Sequence, residues 1–239
     1  TGRTTAEMAG LETALKNIVK TIPVADMNDL GNAMATVATK CDLTDEEIEP
    51  LMTHVAQLSK ISGESATSIT DSMISMSMAF GTEYDKSLDI MMQASQMYGL
   101  SFSELSSMAS SAGVALHDTM GLSLEQVTSL MGYFSASGVD ASQAVAGLMK
   151  ATKNMSEDGT ASVEAFNEVL AKLSSGQMSA ADAQEIFGAK AQNFIAMLQS
   201  SGVSSIDIMS KSLENQTGAL STVSRSEERR VGKECSEPC

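Results

Sequence analysis

The histidines and cysteines are the side chains of this sequence best suited to catalysis or metal binding. His54 and His117 are the two histidines, and neither has an acidic or cysteine neighbour at the spacing of metal ligands. We therefore expect structural or surface histidines. Cys41 lies at a predicted helix end beside Lys40, which could lower the pKa of its thiol. A lone cysteine at a helix end is more often inert, so we predict no catalytic residue, no metal ligand and no cofactor-binding residue.

Two acidic segments could bind a cation or act in acid–base chemistry. Thr44 to Glu49, TDEEIE, places three carboxylates in the first turn of a predicted helix, where they complement the helix dipole. Asn154 to Thr160, NMSEDGT, lacks the alternating ligands and the distal glutamate of an EF-hand loop. We therefore expect the first segment to cap a helix and the second to be a polar turn without calcium.

Six methionines lie close together in the chain: Met73, Met76, Met78, Met91, Met92 and Met97. Such residues could line a plastic groove for partner helices, because the unbranched thioether adapts to many shapes. Packing in a helical core is the commoner role, and we favour it. The sequence also lacks the G-x-x-x-x-G-K-S/T phosphate loop and the G-x-S-x-G nucleophile motif. The chain is therefore not expected to be an enzyme.

Apolar residues recur at helical spacing, which predicts α-helices. These helices must position whatever the chain binds. Two such series are Leu124, Val127, Met131, Phe134 and Ile69, Met73, Met76, Phe80. Alternation typical of strands does not persist anywhere. The pattern predicts helices over 5–21, 26–40, 44–60, 64–80, 83–98, 101–117, 123–137, 140–154, 160–175, 179–200 and 204–222.

Helix-end motifs support these boundaries. Capping boxes, in which a serine or threonine is followed three residues later by glutamate or glutamine, occur at Ser123/Gln126, Ser101/Glu104 and Thr44/Glu47. Gly99, Gly121 and Gly138 precede helix starts, where a preceding helix can end in the left-handed conformation. Short loops favour antiparallel neighbours, so we predict an all-α multi-helix bundle or irregular helical array of about 10–11 short helices. The spacing is quasi-periodic and does not form a strict repeat.

Three regions are expected along the chain. The polar segment 154–160 is the best candidate for a hinge between helical parts at 1–155 and 156–224. Residues 225–239 hold two of the three cysteines, and RSEERRVGKEC, Arg225 to Cys235, matches the translation of a common sequencing adapter. We expect this tail to be adapter-derived or disordered. The chain begins at Thr1 without methionine, which suggests a fragment.

Composition narrows the classes of function. A net charge of −15 argues against direct nucleic-acid binding and against anionic membrane surfaces. No apolar run approaches the roughly 18 residues of a membrane span, so none is expected in this fragment. The 43% hydrophobic content is enough for a sizeable core. With the tail set aside, the lone Cys41 indicates no disulfide framework and suggests assembly in a reducing cytoplasm.

Several motifs in fixed order carry a family resemblance. They are the helix starts at Gly99 and Gly121, the segment GVDASQAVAGL from Gly138 to Leu148, and IFGAKA from Ile186 to Ala191. Over roughly residues 30–200 the chain resembles the tail tape measure proteins of long-tailed bacteriophages, a family also called phage-related minor tail proteins. Each motif alone is weak, but their combination in this order is specific.

The resemblance implies a structural role without catalysis. Members of the family lie in the tail lumen, set tail length, and have tube subunits assembled around them with the help of tail assembly chaperones. It also implies a homo-oligomer inside the virion tail, assembled in the host cytoplasm. Because this segment is capped every twenty residues or so, we expect a compact helical module of a longer chain whose rod lies elsewhere. The alternative is an acidic helical chaperone or effector-like module that binds partner helices.

Overall fold

The computed structural model describes residues 5–22 and 26–136, positions 140, 142–143, 145–147 and 149–150, and a few isolated positions up to 196. The continuous ranges contain eight α-helices and one π-helical segment. In chain order these are α1 (Thr5–Thr21), α2 (Met27–Lys40), α3 (Asp45–Ser62), α4 (Ala66–Phe80), α5 (Tyr84–Tyr98), α6 (Phe102–Met108), the π segment (Ala109–Gly113), α7 (Val114–Met120) and α8 (Leu124–Ala136). The described residues contain no strand, so the predicted all-α class is confirmed.

The predicted helix boundaries agree with the structure to within a few residues for the first seven helices. The main difference is the helix predicted over 101–117, which extends to Met120 and contains the π segment. At the end of the π segment, a Cβ on Gly113 would lie 2.3 Å from Cγ1 of Val127, so α8 packs directly on this backbone. The helices predicted beyond residue 140, the segment 154–160, the boundary at 155/156 and the tail 225–239 lie largely or wholly outside the described residues.

Stacking of alternate helices organises this part of the chain. Helices α1 to α6 are joined by short loops, so neighbours along the chain run antiparallel. Alternate helices therefore run parallel, and they pack side by side: α1 on α3, α2 on α4, and α4 on α6. Helix α8 departs from this order and packs mainly on α5 and beside the π segment. The described region is thus a stack of helical hairpins completed by α8.

Two carboxylates join the starts of successive parallel helices. Asp29 in the first turn of α2 accepts hydrogen bonds from the backbone N–H groups of the first two residues of α4, at 2.5 and 3.2 Å. Glu64, just before α4, accepts from the first two N–H groups of α6, at 2.8 and 3.3 Å. These N–H groups have no intrahelical acceptor, and the helix dipole favours negative charge beside them. The carboxylates therefore fix the register between hairpins.

A single apolar core runs through the stack. Both predicted apolar series are buried, with the four residues of the α8 series at most 1% exposed. The largest fully buried side chains come from α1 to α6 and α8: Phe102, Phe134, Ile18, Leu30, Ile48, Met52, Leu58, Ile69, Met73, Met76 and Leu88. Branched aliphatics and methionine dominate this core, in which Phe102 and Phe134 are the fully buried aromatic side chains among the described residues. The helical periodicity of the sequence correctly identified the faces that pack together.

The predicted helix ends are also confirmed where the structure describes them. The Ser101 N–H donates to a carboxylate oxygen of Glu104 at 2.9 Å, and the Ser101 hydroxyl oxygen accepts from the Glu104 N–H at 3.2 Å. Ser123 and Gln126 exchange the equivalent bonds at 2.9 and 3.3 Å. Gly99 ends α5 with φ of +70°, the conformation for which glycine was predicted there. Gly138 lies outside the described residues.

The glutamates of two capping boxes should make the stability of the fold depend on pH. Backbone hydrogen bonds from Thr44 and Ser101 lower the pKa of Glu47 and of Glu104, respectively, below the usual value near 4.5. The native state therefore binds fewer protons than the unfolded state, so their stabilisation is complete above the unfolded pKa and is lost as pH falls through the folded pKa. We expect the free energy of unfolding, measured with urea between pH 7 and pH 3, to decline in acid.

A matched variant isolates this effect. The third capping box uses the neutral amide of Gln126, so Glu47→Gln with Glu104→Gln retains an acceptor and removes the titrating groups. The double variant is expected to lose less stability between pH 5 and pH 3 than the parent chain. An identical decline in the two proteins would show that these carboxylates are not responsible.

Candidate functional site

The two histidines have structural surroundings. His54 on α3 has its Nδ1 atom 3.1 Å from a carboxylate oxygen of Asp85 on α5. Nδ1 of His117 lies 2.8 Å from the carbonyl oxygen of Leu122. The centroid of the His117 ring is 5.0 Å from the centroid of the Phe80 ring. Among the described residues, no group of three or more His, Cys, Asp and Glu side chains is arranged to hold a metal ion. Each ring therefore joins neighbouring segments of the stack.

Cys41 is buried at the end of α2 and hydrogen-bonds with the side chain of Tyr84. Burial raises the pKa of the Cys41 thiol, and this effect outweighs the lowering by Tyr84 and by the charge of Lys40. The lower pKa suggested by the position of Lys40 in the sequence is therefore wrong. The same contact raises the pKa of Tyr84 to about 12. A buried thiol that resists ionisation is a poor nucleophile, so the geometry favours an inert cysteine.

The six clustered methionines do not form one surface. Four of them, Met73, Met76, Met91 and Met92, are buried in the core, as favoured from the sequence. Met78 and Met97 are 74% and 41% exposed. They lie near the C-terminal ends of α4 and α5, which run antiparallel, and are therefore at opposite ends of this hairpin. A continuous methionine-lined groove is not present at these six positions.

An ion pair between a half-exposed lysine and a buried glutamate joins α5 to α8. The Nζ atom of Lys86 lies 2.6 Å from a carboxylate oxygen of Glu125, whose side chain is 5% exposed. Burial raises the pKa of Glu125, but hydrogen bonds, with Lys86 foremost, and the Lys86 charge together lower it more, so the net shift is downward. Glu125 thus stays ionised and serves to hold two helices together. This pair could not be predicted from the sequence, because no local pattern connects positions so far apart.

A serine-lined groove lies between the parallel helices α4 and α6 and has a volume of about 480 Å³. We call it the serine groove. Its lining residues are Ser65, Thr67, Ser68, Asp71, Ser72, Ser75, Ser103, Ser106, Ser107 and Ser110. The lining serines of α4 and its N-cap recur at i, i+3, i+7 and i+10, and this spacing places them on one helical face. This pattern is present in the sequence, but the periodicity of the apolar residues does not reveal it.

The chemistry of the serine groove favours binding over catalysis. A serine hydroxyl becomes a nucleophile when a neighbouring base takes its proton, and the lining residues include no histidine or lysine. Their one carboxylate, Asp71, has an oxygen 3.5 Å from Nζ of Lys40, and both side chains are more than half exposed. The groove therefore offers hydroxyl groups that can donate and accept hydrogen bonds, with little net charge.

The described region thus defines an acidic helical protein held together by nonlocal contacts and carrying a polar groove. No helix that the structure describes is both long enough and apolar enough to cross a membrane. Residues 12–219 match the family model of the phage-related minor tail proteins, and this match spans most of the 239 residues. The chain therefore belongs to the phage-related minor tail protein family. No curated protein and no solved structure matches it.

Proposed function

We propose that this chain is a helical module of a tail tape measure protein from a long-tailed phage or prophage. In this role it sets tail length and templates assembly of the tail tube. The observation that carries the proposal is the family match over 12–219. The stacked hairpins support it, because a stack of packed helices occupies a defined length along the tail.

The partners follow from this role. The tail tube protein surrounds the chain in the lumen of the virion tail, tail assembly chaperones act during assembly in the host cytoplasm, and further copies of the chain lie beside it. The net charge of −15 supports protein partners over direct contact with DNA, since phosphate neutralisation requires clustered lysine and arginine. The role is structural and involves no catalytic step. The buried thiol and the capping carboxylates support this, because each has a structural partner.

The competing role, an acidic chaperone or effector-like module, depended on a plastic groove for partner helices. The buried positions of Met73, Met76, Met91 and Met92 remove its main support. The serine groove has a different chemistry and does not suit amphipathic helices with large apolar side chains.

Inactivation of the gene in the phage that encodes this chain tests the proposal. We expect lysates without tails of normal length, with normal tails restored by the intact gene in trans, as seen by electron microscopy. The full chain should also co-purify with the tail tube protein from lysates of the complemented phage. Normal tails in the absence of the gene product would overturn the proposal.

A further inference from the structure

Glu125 of α8 is the only charged residue that is buried in the described part of the chain. Its carboxylate lies 2.6 Å from Nζ of Lys86 on α5, and it also interacts with the Ser123 side chain and with its own backbone N–H. The last two groups are neutral, so Lys86 supplies the compensating charge. Removal of that charge would be strongly destabilising, because it would leave a buried carboxylate without a counter-ion. Docking of α8 on α5 therefore depends on one lysine.

The two members of this ion pair differ in their access to water. The side chain of Lys86 is 48% exposed, whereas that of Glu125 is 5% exposed. The lysine ammonium is strongly hydrated and lies on a flexible stem, so it can exchange the carboxylate for water without any movement of the helices. Glu125 regains water only when α8 moves away from α5, because its burial is caused by helix packing. Loss of the pair is therefore relieved by movement of a helix.

The first turn of α5 is also attached to helices other than α8. The three side chains nearest to Lys86 in this turn each contact a different helix or helix end. They are Tyr84 with Cys41 at the end of α2, Asp85 with His54 of α3, and Ser87 with Ser77 of α4. None of these three contacts involves α8, so they can remain when the ion pair is lost. Helix α8 is thus the one that is free to move.

The docked face of α8 combines strong apolar packing with a second unfavourable polar group. Val127, Met131 and Phe134 are fully buried and hold α8 in place. Thr128 is 1% exposed, and its hydroxyl has no hydrogen-bond partner among the described residues. Burial of an unpaired hydroxyl is unfavourable, and exposure to water restores its hydrogen bonds. Two buried polar groups therefore offset part of the apolar attraction, which makes docking sensitive to the ion pair.

We propose that the Lys86–Glu125 pair is a latch that holds α8 on α5, and that its release lets α8 leave the stack while α1 to α5 stay folded. Release exposes the apolar face of α8 and the surface of α5 that it covers. The inference goes beyond the proposed function, because it describes a conformational change within the helical module.

Thiol reactivity of the full chain tests the proposal. In a background with Cys235→Ser and Cys239→Ser, the native Cys41 reports on α2, and Ser129→Cys combined with Cys41→Ser reports on α8. Both positions are buried, so each thiol reacts with 5,5′-dithiobis(2-nitrobenzoic acid) only when its surroundings open. With Lys86→Met we expect the thiol at position 129 to react at least about tenfold faster, and Cys41 to change by less than about twofold.

Two variants separate the ion pair from other effects of the lysine substitution. Lys16→Met removes an exposed ion pair with Glu12 in α1 and should leave both rates unchanged. Glu125→Gln added to Lys86→Met removes the uncompensated charge and should return the rate at position 129 to within about threefold of the parent. Equal acceleration of both thiols, no acceleration at position 129, or no rescue by Glu125→Gln would overturn the proposal. None of these results would alter the outcome of gene inactivation, which tests the proposed function.

Discussion

Gly132→Ala is expected to lower the free energy of unfolding by about 2 kcal/mol, although alanine is the better helix former. A Cβ atom at position 132 would lie 2.1 to 2.6 Å from three ring atoms of Tyr98. Gly132 lies in α8 and Tyr98 ends α5, so the clash falls within the packing of these two helices. Burial of the ring also raises the pKa of Tyr98 to about 12. Urea unfolding followed by circular dichroism measures the loss.

Two further variants separate the clash from the general effect of a helical glycine. Gly31 lies in α2, where a new Cβ would be 3.5 Å from Cδ2 of Leu15, an ordinary contact. Gly31→Ala is therefore expected to stabilise the fold by about 0.5–1 kcal/mol. Removal of the ring by Tyr98→Ala should relieve part of the Gly132→Ala effect in a double-mutant cycle. Equal effects of the two glycine substitutions would contradict the close packing of α5 and α8.

Loss of either bridging carboxylate should also be costly. Asp29→Ala and Glu64→Ala are each expected to reduce the free energy of unfolding by about 2 kcal/mol, because each leaves two helix N-terminal N–H groups without an acceptor. The two carboxylates cap different helices, so their effects should be nearly additive. Chemical unfolding of the single and double variants measures both the individual effects and their sum.

Asp71→Ala is the control for these carboxylates. Asp71 pairs with Lys40 at 3.5 Å, with both side chains more than half exposed, so its loss should change stability by less than about 0.5 kcal/mol. If Asp29→Ala and Glu64→Ala were no more destabilising than Asp71→Ala, the bridges between hairpins would not stabilise the stack.

Local features of the fold could be predicted from the sequence. The apolar series that ends at Phe134, the capping box at Ser101 and the glycine at position 99 each depend on residues within one or two helical turns. Periodicity and cap chemistry act over this range, so the helices and their buried faces were predicted correctly. The confirmed helix starts at Gly99 and Gly121 also belong to the motifs that suggested the family.

The nonlocal features could not be predicted, because their partners meet only in the folded chain. Asp29 reaches residues 37 and 38 positions away, and nothing in its local sequence distinguishes it from an ordinary first-turn carboxylate. Burial of Cys41 likewise raises the pKa of its thiol and outweighs the opposite effect of the neighbouring lysine. The contact of Gly132 with Tyr98 depends on how α8 packs on α5. The serine groove forms only because two parallel helices, distant in the sequence, lie beside each other in the fold.

Tail length in a phage that lacks one helical hairpin tests the proposed role most directly. An in-frame deletion of 45–81 removes α3, α4 and their connection, and tails of the variant phage are measured by electron microscopy. We predict a uniform population shorter by between about 10 Å, the thickness of one packed helix layer, and about 55 Å, the length of the deleted residues as one continuous helix. Tails of unchanged mean length would contradict the account.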